Sequence, residues 1–261
     1  MATASLADRS LVGELMDDPR LDTATHTAAL RQLARLNALA GGDRILWPAI
    51  RDLAAIPGHP AVRILDIATG SGDIPIRLIR RAHAHGLTLH IDGCDVSETA
   101  LAASRERARR AGAAMNFIRL DAIMGSLPDE YDVVMCSLFL HHLGDDTALD
   151  LLYKMRCAAR RMVLVSDLVR SRAGLFLSTV IPRIVSRSHV VHVDAVRSVR
   201  AAFTPEEFEL LAGEAGMEGA TVTPGRVPMR APHPCLPRLG PAIDINQTGR
   251  LTKRTIGLRG A

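Results

Sequence analysis

The stretch of this chain best suited to chemistry is 65–75, LDIATGSGDIP, where an apolar run ends in the bend Gly70-Ser71-Gly72. Glycines at such a bend let backbone approach a ligand closely, and a helix that starts there offers free amide donors. The same construction serves dinucleotides and also occurs with no ligand, so its neighbours decide. Counting from Gly70, the position of a dinucleotide fingerprint's third glycine is Pro75, which handicaps a nicotinamide cofactor. Asp66 and Asp73 crowd the bend with carboxylates that repel a pyrophosphate and suit a cation. A lysine-bearing phosphate loop is excluded, because the only lysines are Lys154 and Lys253.

Asp95, in GCDVS, follows Gly72 by 23 residues, the interval at which a carboxylate at the tip of a second strand reaches a ribose diol. A charge-assisted hydrogen bond there is worth roughly 1.5 to 3 kcal/mol; the alternative is a helix-capping aspartate. Asp121, in RLDA, adds a carboxylate that can accept an adenine amine or cap its own loop. Asp66, Asp95 and Asp121 thus end three successive strands at the edge where open α/β sheets bind ligands. His141 and His142, just past the run YDVVMCSLFL, and His192 with Asp194 are the candidate general bases; packing or helix capping is the competing role of the pair. His189, His192 and Asp194 make a faint metal pattern without support elsewhere, and no metal is expected.

These residues need a scaffold. Helical spacing over 23–40, stopped by Gly41-Gly42, and a second short helix over 43–56 precede the first strand. Apolar runs at 62–67, 87–94, 115–120, 131–137 and 161–166 then alternate with helical patterns at 73–85, 97–111 and 145–158, the signature of a parallel sheet covered on both faces. Thr204-Pro205-Glu206-Glu207 opens a later helix, and strands near 219–223 and 226–231 complete the sheet. The expected fold is α/β, a doubly wound Rossmann-like, seven-stranded, mostly parallel sheet. Its parts are a helical extension or lid over 1–60, the main domain over 61–232 with an acceptor lid near 170–202, and a poorly ordered basic tail over 233–261.

The 261 residues are 48% hydrophobic and 23% charged, enough apolar side chain for a sizeable core. The net charge of +4 is spread over the arginines, and aromatics at 3% are too few for a base-stacking platform, so no nucleic-acid partner is expected. Cys94, Cys136, Cys157 and Cys235 show neither metal nor disulfide spacing. With no apolar leader and no stretch of 18 apolar residues, the chain reads as cytoplasmic without a spanning segment. The apolar stretch 173–185 with its flanking arginines suits a lid over an apolar acceptor or weak association with a membrane surface.

LDIATGSGD, GCDVS, RLDA and YDVVMCSLFLHHL together resemble the ordered motifs of class I S-adenosylmethionine-dependent methyltransferases, over 62–167, and DIATGSGD is similar to the ubiquinone/menaquinone-methylating branch. The resemblance implies S-adenosyl-L-methionine as cofactor. Asp66, Ala68, Thr69, Gly70 and Gly72 would hold its methionine part, Asp95 with Val96 the ribose, and Asp121 with Ala122 the adenine, while Ser137 and Leu138 line it. Two departures stand out: Ala68 replaces the usual first glycine, and Ala159-Arg160-Arg161 replaces a Pro-Gly-Gly turn. The whole chain also resembles methyltransferases of type III polyketide synthase clusters, which implies a small, aromatic and apolar phenolic acceptor and O-methylation. C-methylation of a quinone-type ring is the nearest alternative, followed by methyl transfer to RNA or protein. An NAD-dependent oxidoreductase or a noncatalytic nucleotide-binding protein represents other classes. The oligomeric state is not legible.

Overall fold

The computed structural model describes residues 6–18, 20–56, 61–221 and 231–232. After a short 3-10 turn at Leu15–Asp17 come α1 (Thr23–Ala40) and α2 (Gly42–Ala54), separated by Gly41 in the left-handed region (φ 70°). The Asp22 side chain caps α1 by accepting from the Thr25 amide. There follow β1 (Val62–Ile67), α3 (Asp73–Ala84), β2 (Leu89–Asp95), α4 (Glu98–Ala111), β3 (Asn116–Arg119), β4 (Val133–Ser137), a 3-10 turn at Leu140–His142, α5 (Asp145–Ala158) and β5 (Met162–Ser166). The chain continues through α6 (Arg172–Val185), α7 (His189–Ala201) and α8 (Pro205–Glu214) to β6 (Ala231–Pro232).

The sheet order is β3-β2-β1-β4-β5-β6. The first five strands are parallel, and β6 runs antiparallel to β5 through Met162↔Pro232 and Val163↔Ala231. Six strands are found among the described residues where seven were expected. Of the expected strand over 219–223, only Thr221 makes a bridge among the described residues. Residues 222–223 and 226–230 of the last two expected strands, and the expected tail at 233–261, lie outside the described residues. Strand order reverses at β1, so the carboxyl ends of β1, β2 and β4 border the crevice in which doubly wound sheets hold ligands.

Both faces of the sheet are covered, which explains the nearly continuous apolar strands. On one face, Leu65, Ile67 and Cys136 pack with Leu151, Met155, Phe208 and Leu211 of α5 and α8. On the other, Ile64 and Met135 meet Leu46, Trp47 and Ile50 of α2 and Leu78 of α3. Part of the expected N-terminal extension, α2, is therefore a core layer.

Residues 6–18 are strapped across the carboxyl edge by buried arginine. The Arg170 guanidinium donates to the carbonyls of Leu6, Ala7 and Ala202, at 3.0 Å each, and pairs with Glu207. Arg9 donates to the carbonyls of Ala201 (2.7 Å) and Leu143 (2.9 Å). His189, His192 and Asp194, assigned to no helix or strand from the sequence, lie on helix α7. Its valines obscure the helical period, yet Val190, Val191, Asp194, Ser198 and Val199 are buried on one face and Ser188 caps the start.

Candidate active site

The bend after β1 is built as its glycines require. Gly70 and Gly72 have φ of 55° and 68°, and Ala68, at the position of the usual first glycine, is also held in the left-handed region at φ 52°. A methyl group added at Gly70 would meet nothing within 4 Å, so the turn faces open space. Asp66 is buried beneath it, and the Thr69 hydroxyl donates to its Oδ2 at 2.6 Å. Burial, opposed by that hydrogen bond and helped by Asp73 and Asp95, pushes the Asp66 carboxyl up to about 7. Asp95 holds the turn to β2: Oδ2 accepts from the Gly70 amide and Oδ1 from the Ser97 amide, both at 2.9 Å.

The other expected cofactor residues differ in what occupies them. Asp73 turns to Arg77 (2.7 Å), so the carboxylate pressure on the bend comes from Asp66 and Asp95. Asp121 is exposed, and its Oδ1 caps the amides of Ile123 (2.9 Å) and Met124 (3.0 Å); Ala122 is buried and Val96 exposed. At the end of β4 the Ser137 hydroxyl is buried without a hydrogen-bond partner, and Leu138 sits at φ 55°. An orphaned buried hydroxyl and a strained neighbour beside an open, carboxylate-lined glycine turn fit a polar, positively charged ligand.

Sequence reasoning passed over Gly93. A Cβ there would lie 2.8 Å from the Thr69 hydroxyl and 3.0 Å from its Cβ, inside contact distance. Gly93→Ala is therefore expected to displace Thr69, break its bond to buried Asp66 and cost about 1–3 kcal/mol. Thermal denaturation checks the loss, and an unchanged melting temperature would show that the turn relaxes freely.

The histidines expected after β4 form a second centre at the same edge. His141 Nδ1 lies 2.6 Å from Asp167 Oδ1, and the His141 amide donates to Asp167 Oδ2 at 3.0 Å. His141 Nε2 is 3.5 Å from Glu14 Oε1. His142 stacks on His141 with ring centres 4.4 Å apart; its Nδ1 is 3.1 Å from Asp17 Oδ2 and its Nε2 3.8 Å from Glu14 Oε1. The Ser198 hydroxyl donates to Glu14. Burial alone would lower His141, but Asp167 and Glu14 override it and raise it to about 10, so the ring is an imidazolium at neutral pH.

The remaining candidates are committed elsewhere. His192 Nε2 faces the Ser186 carbonyl at 2.8 Å, and Asp194 accepts from the amides of Leu15 (2.7 Å) and Met16 (3.0 Å), so His189, His192 and Asp194 make no joint centre. Asp167 was findable, since it directly follows β5 at the sheet edge where Asp66 and Asp95 lie near the ends of β1 and β2. Glu14 and Asp17 carry no local signal, because the fold alone brings them to β4.

A family model described as a methyltransferase domain matches residues 64–161. The ubiquinone/menaquinone biosynthesis C-methyltransferase UbiE of Rhizobium meliloti (strain 1021) is 29% identical over 119 residues, 45% of this chain and 45% of that protein. The ubiquinone biosynthesis O-methyltransferase of Aeromonas salmonicida is 28% identical over 120 residues, 45% of this chain and 43% of that protein. The chain spans less than half the length of the curated relatives it matches. A solved structure of magnesium protoporphyrin IX methyltransferase from Synechocystis, with bound SAH, shares the fold at a TM-score of 0.51 and 18% identity, over 74% of this chain and 84% of that one. Among the described residues no helix is long and apolar enough to cross a membrane.

Proposed function

Because residues 64–161 match a methyltransferase domain, we propose that the chain is a class I S-adenosylmethionine-dependent methyltransferase that moves the donor's methyl group to a phenolic oxygen of a small, apolar aromatic acceptor. The observation that carries this reading is the Glu14–His141–His142–Asp167 cluster at the sheet edge that also bears the open glycine turn. The donor supplies a methyl group on a sulfonium; this chain's residues position the acceptor for in-line attack and handle its proton. A phenol with a pKa near 10 is about one part in a thousand ionised at pH 7. Positive charge on His141 favours the phenolate, and His142, the more exposed of the two rings, faces the acceptor. His192 positions rather than reacts, with one ring nitrogen held by Ser186.

The strap 6–18 and α1 close the site, and α6 forms its apolar lid. Phe176, Leu177 and Ile184 of α6 are exposed between Arg172, Arg183 and Arg187, a surface suited to an apolar acceptor and to weak contact with anionic membrane. C-methylation of a quinol ring is the second reading, favoured by the UbiE relative; both use a deprotonated aromatic acceptor.

The test is incubation with methyl-labelled donor and a panel of phenols and quinols, with NMR of the product to separate O- from C-methylation. His142→Ala is expected to lower turnover at least tenfold, with His192→Ala milder. No transfer to any aromatic acceptor, despite donor binding, would sink the acceptor assignment.

A further inference from the structure

Glu14, His141 and His142 form a group that the donor site does not use, and we propose that it binds one divalent transition-metal ion, zinc or a metal of similar ligand preference. The inference rests on the methyl-transfer reading only for what the ion does, not for its binding. One ligand atom from each of these residues lies within 4.8 Å of the others. Glu14 Oε1 is 3.5 Å from His141 Nε2 and 3.8 Å from His142 Nε2. Donors around a tetrahedral zinc with bonds of about 2.0–2.1 Å sit about 3.4 Å apart, so the two carboxylate–imidazole separations need contractions of only a few tenths of an ångström.

The outer groups point the same way. Metal-bound imidazoles almost always present their other nitrogen to a carboxylate or carbonyl, which fixes the ring and raises its basicity. Both rings do so here: His141 Nδ1 toward Asp167 at 2.6 Å and His142 Nδ1 toward Asp17 at 3.1 Å, leaving both Nε2 atoms turned to the same carboxylate. The Ser198 hydroxyl steadies Glu14, and Asp194 pins the chain beside it by accepting from the Leu15 amide. Charge agrees as well. Glu14, Asp17 and Asp167 carry three carboxylates against two imidazoles, so the cluster stays negative even with both rings protonated. A divalent ion takes the place of the proton between His141 and Glu14, which goes to solvent, and three protein ligands leave a position for water or an acceptor oxygen. In that position the ion would hold a phenol oxygen as phenolate, the task assigned above to positive charge at this cluster.

The test is titration of the metal-stripped full chain with Co²⁺ and Zn²⁺, followed by cobalt ligand-field absorption and by competition with a chromophoric chelator. One ion per chain is expected, with tetrahedral or five-coordinate cobalt bands. Glu14→Gln and His142→Ala should each weaken binding by more than tenfold, Asp17→Asn by about 10- to 100-fold, and His189→Ala should leave it intact. Melting curves and donor binding on the same variants establish that they fold. No stoichiometric ion, or binding that survives both Glu14→Gln and His142→Ala, overturns the proposal. Donor binding and methyl transfer by the metal-stripped chain are measured separately, so failure of the metal site and failure of the methyltransferase reading are distinguishable.

Discussion

Asp167→Asn is expected to cost about 3–5 kcal/mol of stability, lowering the melting temperature by roughly 6 to 20 °C for a domain of this size. Asp167 is buried, and its two oxygens serve the His141 ring, the His141 amide and the Leu168 amide. Asparagine keeps the shape but removes the charge, leaving a buried imidazolium with Glu14 alone. The pH dependence separates this from simple loss of packing. His141 is raised to about 10 in the folded chain, above its ordinary 6.5, so its contribution is complete below about pH 6.5 and is lost as pH rises through 10. Asp167, although burial opposes it, is held below its ordinary 3.8 by His141 and the two amides. Its contribution is present above pH 3.8 and lost as pH falls through the folded value. The stability difference between wild type and variant should therefore peak between about pH 4 and 6.5 and shrink toward pH 10. Thermal melts of the metal-stripped chain across that range check it; a difference that grows with pH would contradict an ion pair.

The parts of this fold that were legible in the sequence are those specified by local rules. The bounds of α1, β1 and α5 follow from a capping residue, an apolar run and an acidic first turn. The glycine turn and Asp95 were legible because their spacing reflects a strand-turn-helix unit whose geometry is fixed by short connections. What was not legible depended on tertiary proximity. Asp73 looked like a partner for a cation until α3 brought Arg77 onto it. Helix α7 was hidden by its valines, whose weak helical preference is overridden by the burial of one face. Glu14 reaches His141 only because Arg9 and Arg170 strap the N-terminal segment over the sheet edge, a contact between residues more than a hundred positions apart.

Asp95→Ala should weaken S-adenosylmethionine binding by roughly tenfold to more than a hundredfold, the equivalent of about 1.5–3 kcal/mol for a charge-assisted hydrogen bond. Two effects are superposed in that number. The carboxylate fixes the Gly70 and Ser97 amides, and on the proposed function its remaining lone pairs accept the ribose hydroxyls. A ligand cycle separates them. Calorimetry with S-adenosylhomocysteine and its 2′-deoxy analogue should show the wild type preferring the hydroxylated ligand about tenfold, whereas Asp95→Ala should be nearly indifferent, because the group that reads the hydroxyl is gone. If instead the variant keeps the wild-type preference while binding both ligands more weakly, Asp95 acts only by shaping the turn and the ribose is read by another residue. Equal affinity of the wild type for the two ligands would mean that the hydroxyl is not recognised at all. The melting temperature reports the structural share directly, since it senses the two amide bonds and not the ribose.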